Sequence, residues 1–391
     1  MKKVLFLPFL LMQSGHHQVA DALMDILKRE TDEITVKKID LLSYTNQSLE
    51  KLITNGYLKW IRYAPEIYDL AYKKFFYGST TKEHSFKWYH YFFLKKMEQL
   101  LMEENPDLIV CTHGFPSYLL SQLKRKGKNN IPNINVYTDF FINNVWGREE
   151  IDFHFLPSQD VKEELRKNFQ IPDKNMIVTG IPVHKEITKK TKLQINRTLP
   201  KILVAGGSNG LGDILELLEG VKQSTQAEYF VLCGKNNKLY EEILSWKLAH
   251  IKPLSYISSR SEMNHIYDEM DAIVTKPGGV TISEVLQKRI PIFIHSALPG
   301  QEEINQEYLI NKGLVFELKK QKPFEQELLG ILNDSKKVNQ WENSINFYQK
   351  GIEIEGTWEI AEKIKCILES KIKSIQSSKF VQSKAFRVAK A

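Results

Sequence analysis

Two adjacent histidines follow a glycine near the start of the chain, in the segment QSGHHQVADAL over residues 13–23. The segment lies between an apolar run and a helical pattern, which predicts a turn from a strand into a helix. At such a turn the glycine lets a ligand approach the backbone, and the helix N-terminus favours negative charge. A histidine there can act as a base or hold a phosphate, although a capping or solvated histidine fits the same pattern.

A second turn, TKPGGVTISE over residues 275–284, carries the chemistry of phosphate binding. Gly278 and Gly279 remove side chains where backbone amides turn towards a ligand, so the amides and the helix dipole can hold a diphosphate without a metal. Glu284 lies one helical turn further on and can accept hydrogen bonds from sugar hydroxyls such as those of a ribose. The segment therefore predicts a site for a nucleoside diphosphate.

Two other turns suit the same ligand. The segment AGGSNGLGD (205–213) is rich in glycine but has neither the P-loop spacing nor GxGxxG, which disfavours triphosphatase and dehydrogenase chemistry. A purely structural glycine turn is the alternative for this segment. The segment PGQEEIN (299–305) supplies amide and carboxylate groups that suit the hydroxyls of a hexose.

Strands and helices must position these turns, and the hydrophobic pattern predicts both. Four short apolar runs lie in the first half of the chain and four in the second, each followed by a turn. They are VLFLPFLL (4–11), DLIVCTH (107–113), INVYTDF (134–140), FHFLPS (153–158), KILVAGG (201–207), EYFVLCG (228–234), DAIVTKPGG (271–279) and IPIFIH (290–295). The pattern predicts an α/β protein with two doubly wound, Rossmann-like domains facing each other across a cleft.

The same pattern divides the chain. We assign residues 1–183 to a first domain, 184–200 to a polar linker, 201–350 to a second domain and 351–391 to a C-terminal amphipathic helix with a basic tail. A nucleoside-diphosphate site in the second domain and a histidine-bearing turn in the first fit the transfer of a sugar from a nucleotide donor to an acceptor. The second domain would hold this donor at the carboxyl ends of its strands, and the first would face the acceptor and the membrane.

Composition restricts the class of protein further. Of the 391 residues, 42% are hydrophobic and 26% are charged, and the three cysteines show neither disulfide nor metal-ligand spacing. We therefore expect a reducing, cytoplasmic environment and neither metal nor cofactor. No stretch approaches the roughly 20 apolar residues of a membrane span, and MKKVLFLPFLLM lacks the cleavage site of a signal peptide.

Charge and aromatic residues point to a membrane surface. Six units of the net charge of +7 lie in the tail after residue 369, where only Phe380 and Phe386 could stack on bases, so nucleic-acid binding is poorly supported. Residues 57–93 hold 14 of the 42 aromatic residues together with lysines, as in segments at a lipid interface. A pair of core helices and a solvated tail are the alternatives for these two segments.

The motifs together resemble the glycosyltransferases that make glycosyl-diacylglycerols, namely bacterial diacylglycerol glucosyltransferases and plant monogalactosyldiacylglycerol synthases. The resemblance covers nearly the whole chain and rests on nine segments in the family's order. They are SGHHQVADAL, YKKFFYG, PDLIVCTHGFPS, INVYTDF, VTGIPV, AGGSNGLGD, LCGKN, TKPGGVTISE and PGQEEIN. It implies a GT-B architecture, a UDP-sugar donor, inversion at the anomeric carbon and peripheral attachment to the inner face of the cell membrane.

The resemblance also implies roles for particular residues. His16 and Asp139 are the candidate catalytic residues. The donor residues are Gly207, Ser208 and Asn209, Tyr256 and Ile257 at the uracil, Gly278, Gly279, Val280 and Thr281 at the diphosphate, Glu284 at the ribose, and Gln301 with Glu302 at the hexose. The candidates for contact with the acceptor or the membrane are Trp60, Lys73, Lys74, Phe75, Phe76 and Trp88.

The leading hypothesis is the transfer of glucose or galactose from UDP to the 3-hydroxyl of diacylglycerol, with an anionic membrane surface as a further partner. His16, assisted or replaced by Asp139, would take the hydroxyl proton with a pKa near 7. Two alternatives stay open: a UDP-sugar transferase for another acceptor, such as an undecaprenyl-linked sugar or a non-lipid alcohol, and a UDP-sugar-sensing membrane regulator without turnover.

Overall fold

The computed structural model of the chain describes residues 1–9, 15–45, 87–191, 193, 199–206, 214–319, 322–356 and 358–369. Several predicted site residues and the basic tail 370–391 lie outside these ranges. The site residues concerned are Trp60, Lys73, Lys74, Phe75, Phe76, Gly207, Ser208 and Asn209.

The first half of the chain forms a parallel sheet. Its strands are β1 (Lys2–Leu7), β2 (Ile34–Lys38), β3 (Leu108–Cys111), β4 (Asn133–Val136), β5 (Phe153–Leu156) and β6 (Met176–Val178). Its helices are α1 (Gly15–Glu30), α2 (Leu41–Thr45), α3 (Lys87–Glu104), α4 (Gly114–Arg125) and α5 (Gln159–Phe169). The strand order is β2-β1-β3-β4-β5-β6, with β1 and β3 apolar and buried at the centre because helices cover both faces.

The second half repeats this plan. Its strands are β7 (Lys201–Ala205), β8 (Glu228–Leu232), β9 (Ile251–Leu254), β10 (Ala272–Thr275), β11 (Ile292–Ile294) and β12 (Phe316–Glu317). Its helices are α6 (Ile214–Glu219), α7 (Asn237–Ser245), α8 (Arg260–Glu269), α9 (Gly279–Lys288), α10 (Gln301–Asn311), α11 (Phe324–Leu332) and α12 (Ser335–Lys350). The strand order is β12-β11-β10-β7-β8-β9, and all pairs are parallel. The predicted α/β class with two doubly wound sheets is confirmed.

Side chains fix where several helices begin. Ser158 Oγ accepts from Val161 N at the start of α5, and Ser259 Oγ accepts from Glu262 N at the start of α8. Asp334 does the same for α12 through Lys336 N, and a histidine, His113, caps α4. Such caps satisfy amides that have no partner within the helix, so the local sequence determines these boundaries.

The segment after α12 returns to the first half of the chain. Glu353 N donates to Val178 O at 2.7 Å, and the Glu353 carboxylate accepts from Lys162 Nζ at 2.6 Å. A helix over residues 358–369, α13, follows and lies beside the end of α1, where Lys365 Nζ donates to Glu30 O at 3.1 Å. The described part of 351–391 is therefore packed on the first domain rather than separate from the body.

The helix α13 is amphipathic, as the sequence predicts, and its apolar face is turned towards the protein. The apolar side chains that predicted an amphipathic helix are in the protein core, because they fill the space beside the first domain. They are Ile360, Ile364, Ile367 and Leu368. The apolar face of α13 is thus not available to a membrane. None of the helices that the described residues form has the length and apolarity needed to cross a bilayer.

Candidate active site

The dipeptide Thr138–Asp139, directly after β4, joins the three helices that follow the predicted motifs. Thr138 Oγ1 is hydrogen bonded to His16 Nδ1 of α1 at 2.8 Å. The Thr138 carbonyl faces Gly279, the first residue of α9. The Asp139 carboxylate accepts hydrogen bonds from two amides of α10. The carboxyl end of β4 therefore connects the first domain with both helix N-termini of the second.

Gly279 permits this contact because it has no side chain. A Cβ atom on Gly279 would lie 2.1 Å from Thr138 O, whereas the Cβ position of Gly278 meets no described atom within 4 Å. On the other side of α9, a Cβ on Gly15 would lie 3.1 Å from Val280 Cγ2. The expectation that both glycines make room for a ligand needs correction: Gly279 makes room for the first domain, and only Gly278 leaves open space.

The remaining features of this turn suit an anion. Gly278 is the N-cap of α9 and makes no side-chain hydrogen bond, so the first amides of α9 lack a side-chain cap there. Val280 is buried against α1, and Thr281 is half-buried. Lys276 lies just before the turn and is only 8% exposed. Lys276 was not among the site residues predicted from the sequence, although its place in TKPGG, two residues before the first glycine, was a usable signal.

Glu284 is buried near the middle of α9, with two partners on α8. Tyr267 Oη donates to Glu284 Oε2 at 2.9 Å, and Arg260 Nη1 lies 3.8 Å from Oε1. Burial raises the pKa of the Glu284 carboxyl, while Arg260 and Tyr267 act in the opposite direction. Helix α8 thus holds the carboxylate that the sequence assigns to a ribose.

The predicted uracil residues lie on the connection between β9 and α8. Tyr256 is 42% exposed, and Lys235 Nζ lies 5.2 Å from the centre of its ring. Ile257 instead packs against the main apolar core. This connection leads directly to Arg260, which lies beside Glu284, so Tyr256 is on the same side of the domain as Glu284.

Asp139 is held between two side chains of α10. Gln301 Nε2 donates to Asp139 Oδ2 at 2.5 Å, and Asn305 Nδ2 donates to Oδ1 at 2.8 Å. Burial raises the pKa of Asp139 to about 6, although the Asn305 and Gln301 amides lower it. The carboxylate is therefore still mostly ionised at pH 7 and can accept a proton near neutral pH.

The residues predicted at the hexose have partners within the protein. The Gln301 amide binds Asp139, and Glu302 Oε2 accepts from Leu298 N at 2.7 Å. Burial raises the pKa of Glu302, and Lys276 lowers it. In this arrangement Gln301 positions Asp139, which the sequence did not indicate, and its carbonyl oxygen and second N–H remain for a sugar hydroxyl.

His16 differs from the sequence expectation. Burial lowers the pKa of His16 to about 4, against the effect of a hydrogen bond with the Thr112 backbone. The expected pKa near 7 is therefore wrong for His16, and the ring is neutral at pH 7. The carboxylate of Asp139, whose pKa is higher, is the stronger base of the two.

A further histidine completes this side of the site. The ring of His113, at the start of α4, stands edge-on to the ring of His16 with 4.7 Å between their centres. Its segment, PDLIVCTHGFPS, contributed only to the family resemblance, and His113 was not predicted as a site residue. A histidine directly after an apolar strand was the signal that could have selected it. Trp88 lies at the start of α3, and its side chain is outside the described residues.

In the part of the chain that the structure describes, no three His, Cys, Asp or Glu side chains are grouped so that they could hold a metal ion. Cys111, Cys233 and Cys366 are free of disulfide bonds.

Two six-stranded parallel sheets, with a site between the carboxyl ends of their strands, have the architecture of the GT-B fold. A family model for monogalactosyldiacylglycerol (MGDG) synthase matches residues 16–183, and one for the glycosyltransferase family 28 C-terminal domain matches residues 201–351. The chain belongs to the glycosyl-diacylglycerol synthase family of glycosyltransferases.

Individual relatives agree with this assignment. The chain is 39% identical over 351 residues to the uncharacterized glycosyltransferase YkoN of Bacillus subtilis. The aligned region covers 89% of this chain and 93% of YkoN. It is 28% identical over 343 residues to the processive diacylglycerol beta-glucosyltransferase of Bacillus cereus, covering 85% and 86%. Among solved structures, MurG of Acinetobacter baumannii has a TM-score of 0.59 at 14% identity and covers 93% of this chain and 99% of its own.

Proposed function

We propose that this glycosyltransferase transfers a hexose, glucose or galactose, from a UDP-sugar to the free hydroxyl of diacylglycerol at the cytoplasmic face of the membrane. The observation that carries the proposal is the Thr138–Asp139 dipeptide, which joins a buried carboxylate to the N-terminus of the diphosphate-binding helix. The Bacillus cereus relative, a processive diacylglycerol beta-glucosyltransferase, supports the choice of acceptor.

In the proposed reaction Asp139 is the base. The hydroxyl oxygen of the acceptor attacks the anomeric carbon on the face opposite UDP, and its proton moves to the Asp139 carboxylate. The bond from the anomeric carbon to the diphosphate oxygen breaks, and its electron pair leaves with UDP, so the configuration inverts. Neutral His16, fixed by Thr138, would hold the hydroxyl in line by a hydrogen bond.

The leaving diphosphate gains negative charge, so the donor site must supply positive charge. The amides at Gly278–Thr281 and the dipole of α9 provide partial charges, and Lys276 provides a full one. Glu284 would bind the ribose hydroxyls, and Tyr256 would lie beside the uracil. This donor site uses neither a metal nor a cofactor.

Attachment to an anionic membrane surface would bring the enzyme to its acceptor. Within the aromatic segment 57–93, in the first two turns of α3, Tyr91 is 71% exposed and Phe92 is 44% exposed. Exposed aromatic side chains of this kind are favoured at the membrane–water interface, at the level of the lipid headgroups. The basic tail would add attraction to anionic lipids, which weakens as the salt concentration rises.

The proposal is tested by incubating the purified full-length protein with diacylglycerol vesicles and a panel of UDP-sugars, followed by mass analysis of the lipids. We expect a monohexosyl-diacylglycerol with UDP-glucose or UDP-galactose, formed at least about 100-fold more slowly by Asp139→Asn. Release of UDP with no change in the mass of diacylglycerol, or a product formed only on another alcohol, would disprove the proposed acceptor.

We expect Glu284→Gln to weaken UDP binding while the turnover of bound donor changes little. Glutamine keeps an acceptor for Tyr267 and the volume of the side chain, but it lacks the charge that binds two hydroxyls. The dissociation constant of UDP, measured by calorimetry, should rise about 10- to 100-fold. Glu262→Gln, an exposed position on α8, is the control. Unchanged UDP affinity in Glu284→Gln would place the ribose elsewhere.

We expect His16→Ala to lower kcat about 100-fold, because the acceptor hydroxyl loses a fixed hydrogen-bond partner. The KM for the UDP-sugar should stay within about threefold, since His16 lies on the acceptor side. The measurement is initial rates on diacylglycerol vesicles, with the exposed His265→Ala as the control. Full turnover in His16→Ala would exclude His16 from the mechanism.

A further inference from the structure

His113 is fixed in place and in protonation state. Its Nδ1 accepts from Phe115 N at 3.0 Å, as the cap of α4. A neutral imidazole that accepts at Nδ1 must carry its proton on Nε2. Burial, together with the nearby His16 and His17, holds the pKa of His113 well below its usual value, so the ring is neutral at pH 7. His113 therefore presents Nε2–H as a hydrogen-bond donor.

This donor has no partner among the described residues, so it is free to bind a ligand. The ring of His113 lies beside that of His16, and both rings sit at helix N-termini above the adjacent strands β1 and β3. A neutral histidine at a helix N-terminus is well suited to bind a carbonyl oxygen, because it donates without bringing a charge into an apolar site.

Aromatic rings continue from His113 away from His16. Between ring centres, His113 lies 4.9 Å from Phe9, Phe9 lies 5.1 Å from Phe115, and Phe115 lies 5.2 Å from Phe93. Phe93 in turn touches Phe92, which is exposed at the start of α3. The row therefore begins with His16, the proposed partner of the acceptor hydroxyl. It continues with His113, which offers a single N–H donor, and ends with the apolar phenylalanine rings.

A 1,2-diacylglycerol has its groups in the same order: the free hydroxyl on C3, the ester on C2 and then an acyl chain. We propose that His113 binds the acceptor by donating its Nε2–H to the carbonyl oxygen of the ester on C2, while the attached acyl chain lies along Phe9 and Phe115. This inference rests on the proposed function. It makes the enzyme specific for an ester, rather than an ether, next to the reacting hydroxyl.

The specificity has a physical reason. An acceptor with an ether on C2 has no carbonyl there, so the Nε2–H loses its water and gains no partner in the apolar row. Leaving a buried donor unpaired lowers kcat/KM by about 10- to 100-fold. An ether on C1, further from the hydroxyl, leaves the donor satisfied and should have little effect.

The experiment compares two isomeric acceptors in vesicles, 1-alkyl-2-acylglycerol and 1-acyl-2-alkylglycerol, with the full-length wild-type protein. We expect the 2-acyl isomer to be preferred by about 10-fold or more in kcat/KM. His113→Asn keeps an oxygen that can cap α4 but is too short to replace Nε2–H. It should reduce the preference to within about threefold without changing the KM for the UDP-sugar.

His265→Asn, the same substitution on an exposed face of α8, is the matched control and should keep the preference. Equal rates for the two isomers with the wild-type protein would overturn the inference, even if His113→Asn does not fold. An unchanged preference in folded His113→Asn would overturn it as well. A wild-type protein that glycosylates neither isomer nor diacylglycerol itself would instead overturn the proposed function, and the inference with it.

Discussion

Replacing Asp139 with asparagine should lower kcat by about 100- to 10,000-fold, the usual contribution of a general base. Asparagine has nearly the same shape and retains an oxygen that can accept from Asn305 or Gln301, so the contact between β4 and α10 should persist. The amide cannot take a proton from the acceptor hydroxyl. Initial rates on diacylglycerol vesicles, together with a thermal unfolding curve, separate the loss of the base from a loss of structure.

The same carboxylate predicts how activity depends on pH. Since the pKa of Asp139 is raised to about 6 by burial, the wild-type kcat/KM should fall as the pH drops below about 6, where the protonated carboxyl no longer accepts a proton. The groups that face it, Asn305, Gln301 and Glu302, lie on α10. His16→Ala should retain this acidic limb, because the pKa of His16 is near 4.

Asp32→Asn, at an exposed position between α1 and β2, is the control for Asp139→Asn and should behave as the wild-type protein. Two results would contradict the assignment. One is an Asp139→Asn variant that keeps more than about a tenth of the wild-type kcat, since a lost base should lower kcat by about 100-fold or more. The other is an acidic limb that stays in place when Asp139 is replaced.

Gly279→Ala should destabilise the protein and abolish activity together. The added Cβ would lie 2.1 Å from Thr138 O, so α9 and the end of β4 must separate. Overpacking of this kind should lower the unfolding temperature by about 5 to 10 °C. Because Thr138 carries both the contact to His16 and the link to Asp139, activity should fall about 100-fold or more.

Gly278→Ala is the matched control, since it places the same methyl group one residue earlier, in open space. It should unfold at the wild-type temperature, but its methyl group would face the proposed diphosphate site and raise the KM for the UDP-sugar. Equal stability of the two variants would show that Gly279 does not carry the contact between the domains. A normal KM in Gly278→Ala would move the diphosphate away from this turn.

The sequence predicted the interior of both sheets and missed their edges. Each of the eight apolar runs overlaps a strand with two neighbours in its sheet, and the strands that no run covers, β2, β6, β9 and β12, are the four edge strands among the described residues. The physical reason is burial. An interior strand is covered on both faces and lies in a mostly apolar run, whereas exposed residues alternate with less exposed ones along β2, and β6 has only three residues.

The sequence also determined which residue types can do the chemistry, because a turn rich in glycine, a histidine or a carboxylate after a strand leads to the same edge of a parallel sheet. It could not determine their state. The pKa of Asp139 depends on burial and on two amides of α10, which are 162 and 166 residues away in the chain. His16 and Gly279 likewise meet Thr138 only in the folded protein.

Fold class, family and candidate residues therefore follow from the sequence alone, since they depend on local patterns and on motifs in order. The shifted pKa values of His16 and Asp139, the contact that Gly279 makes with Thr138 and the burial of the α13 apolar face depend on the tertiary structure. These properties depend on which distant side chains remove water from a group or occupy the space beside it. A pattern in the sequence contains no information on such distances.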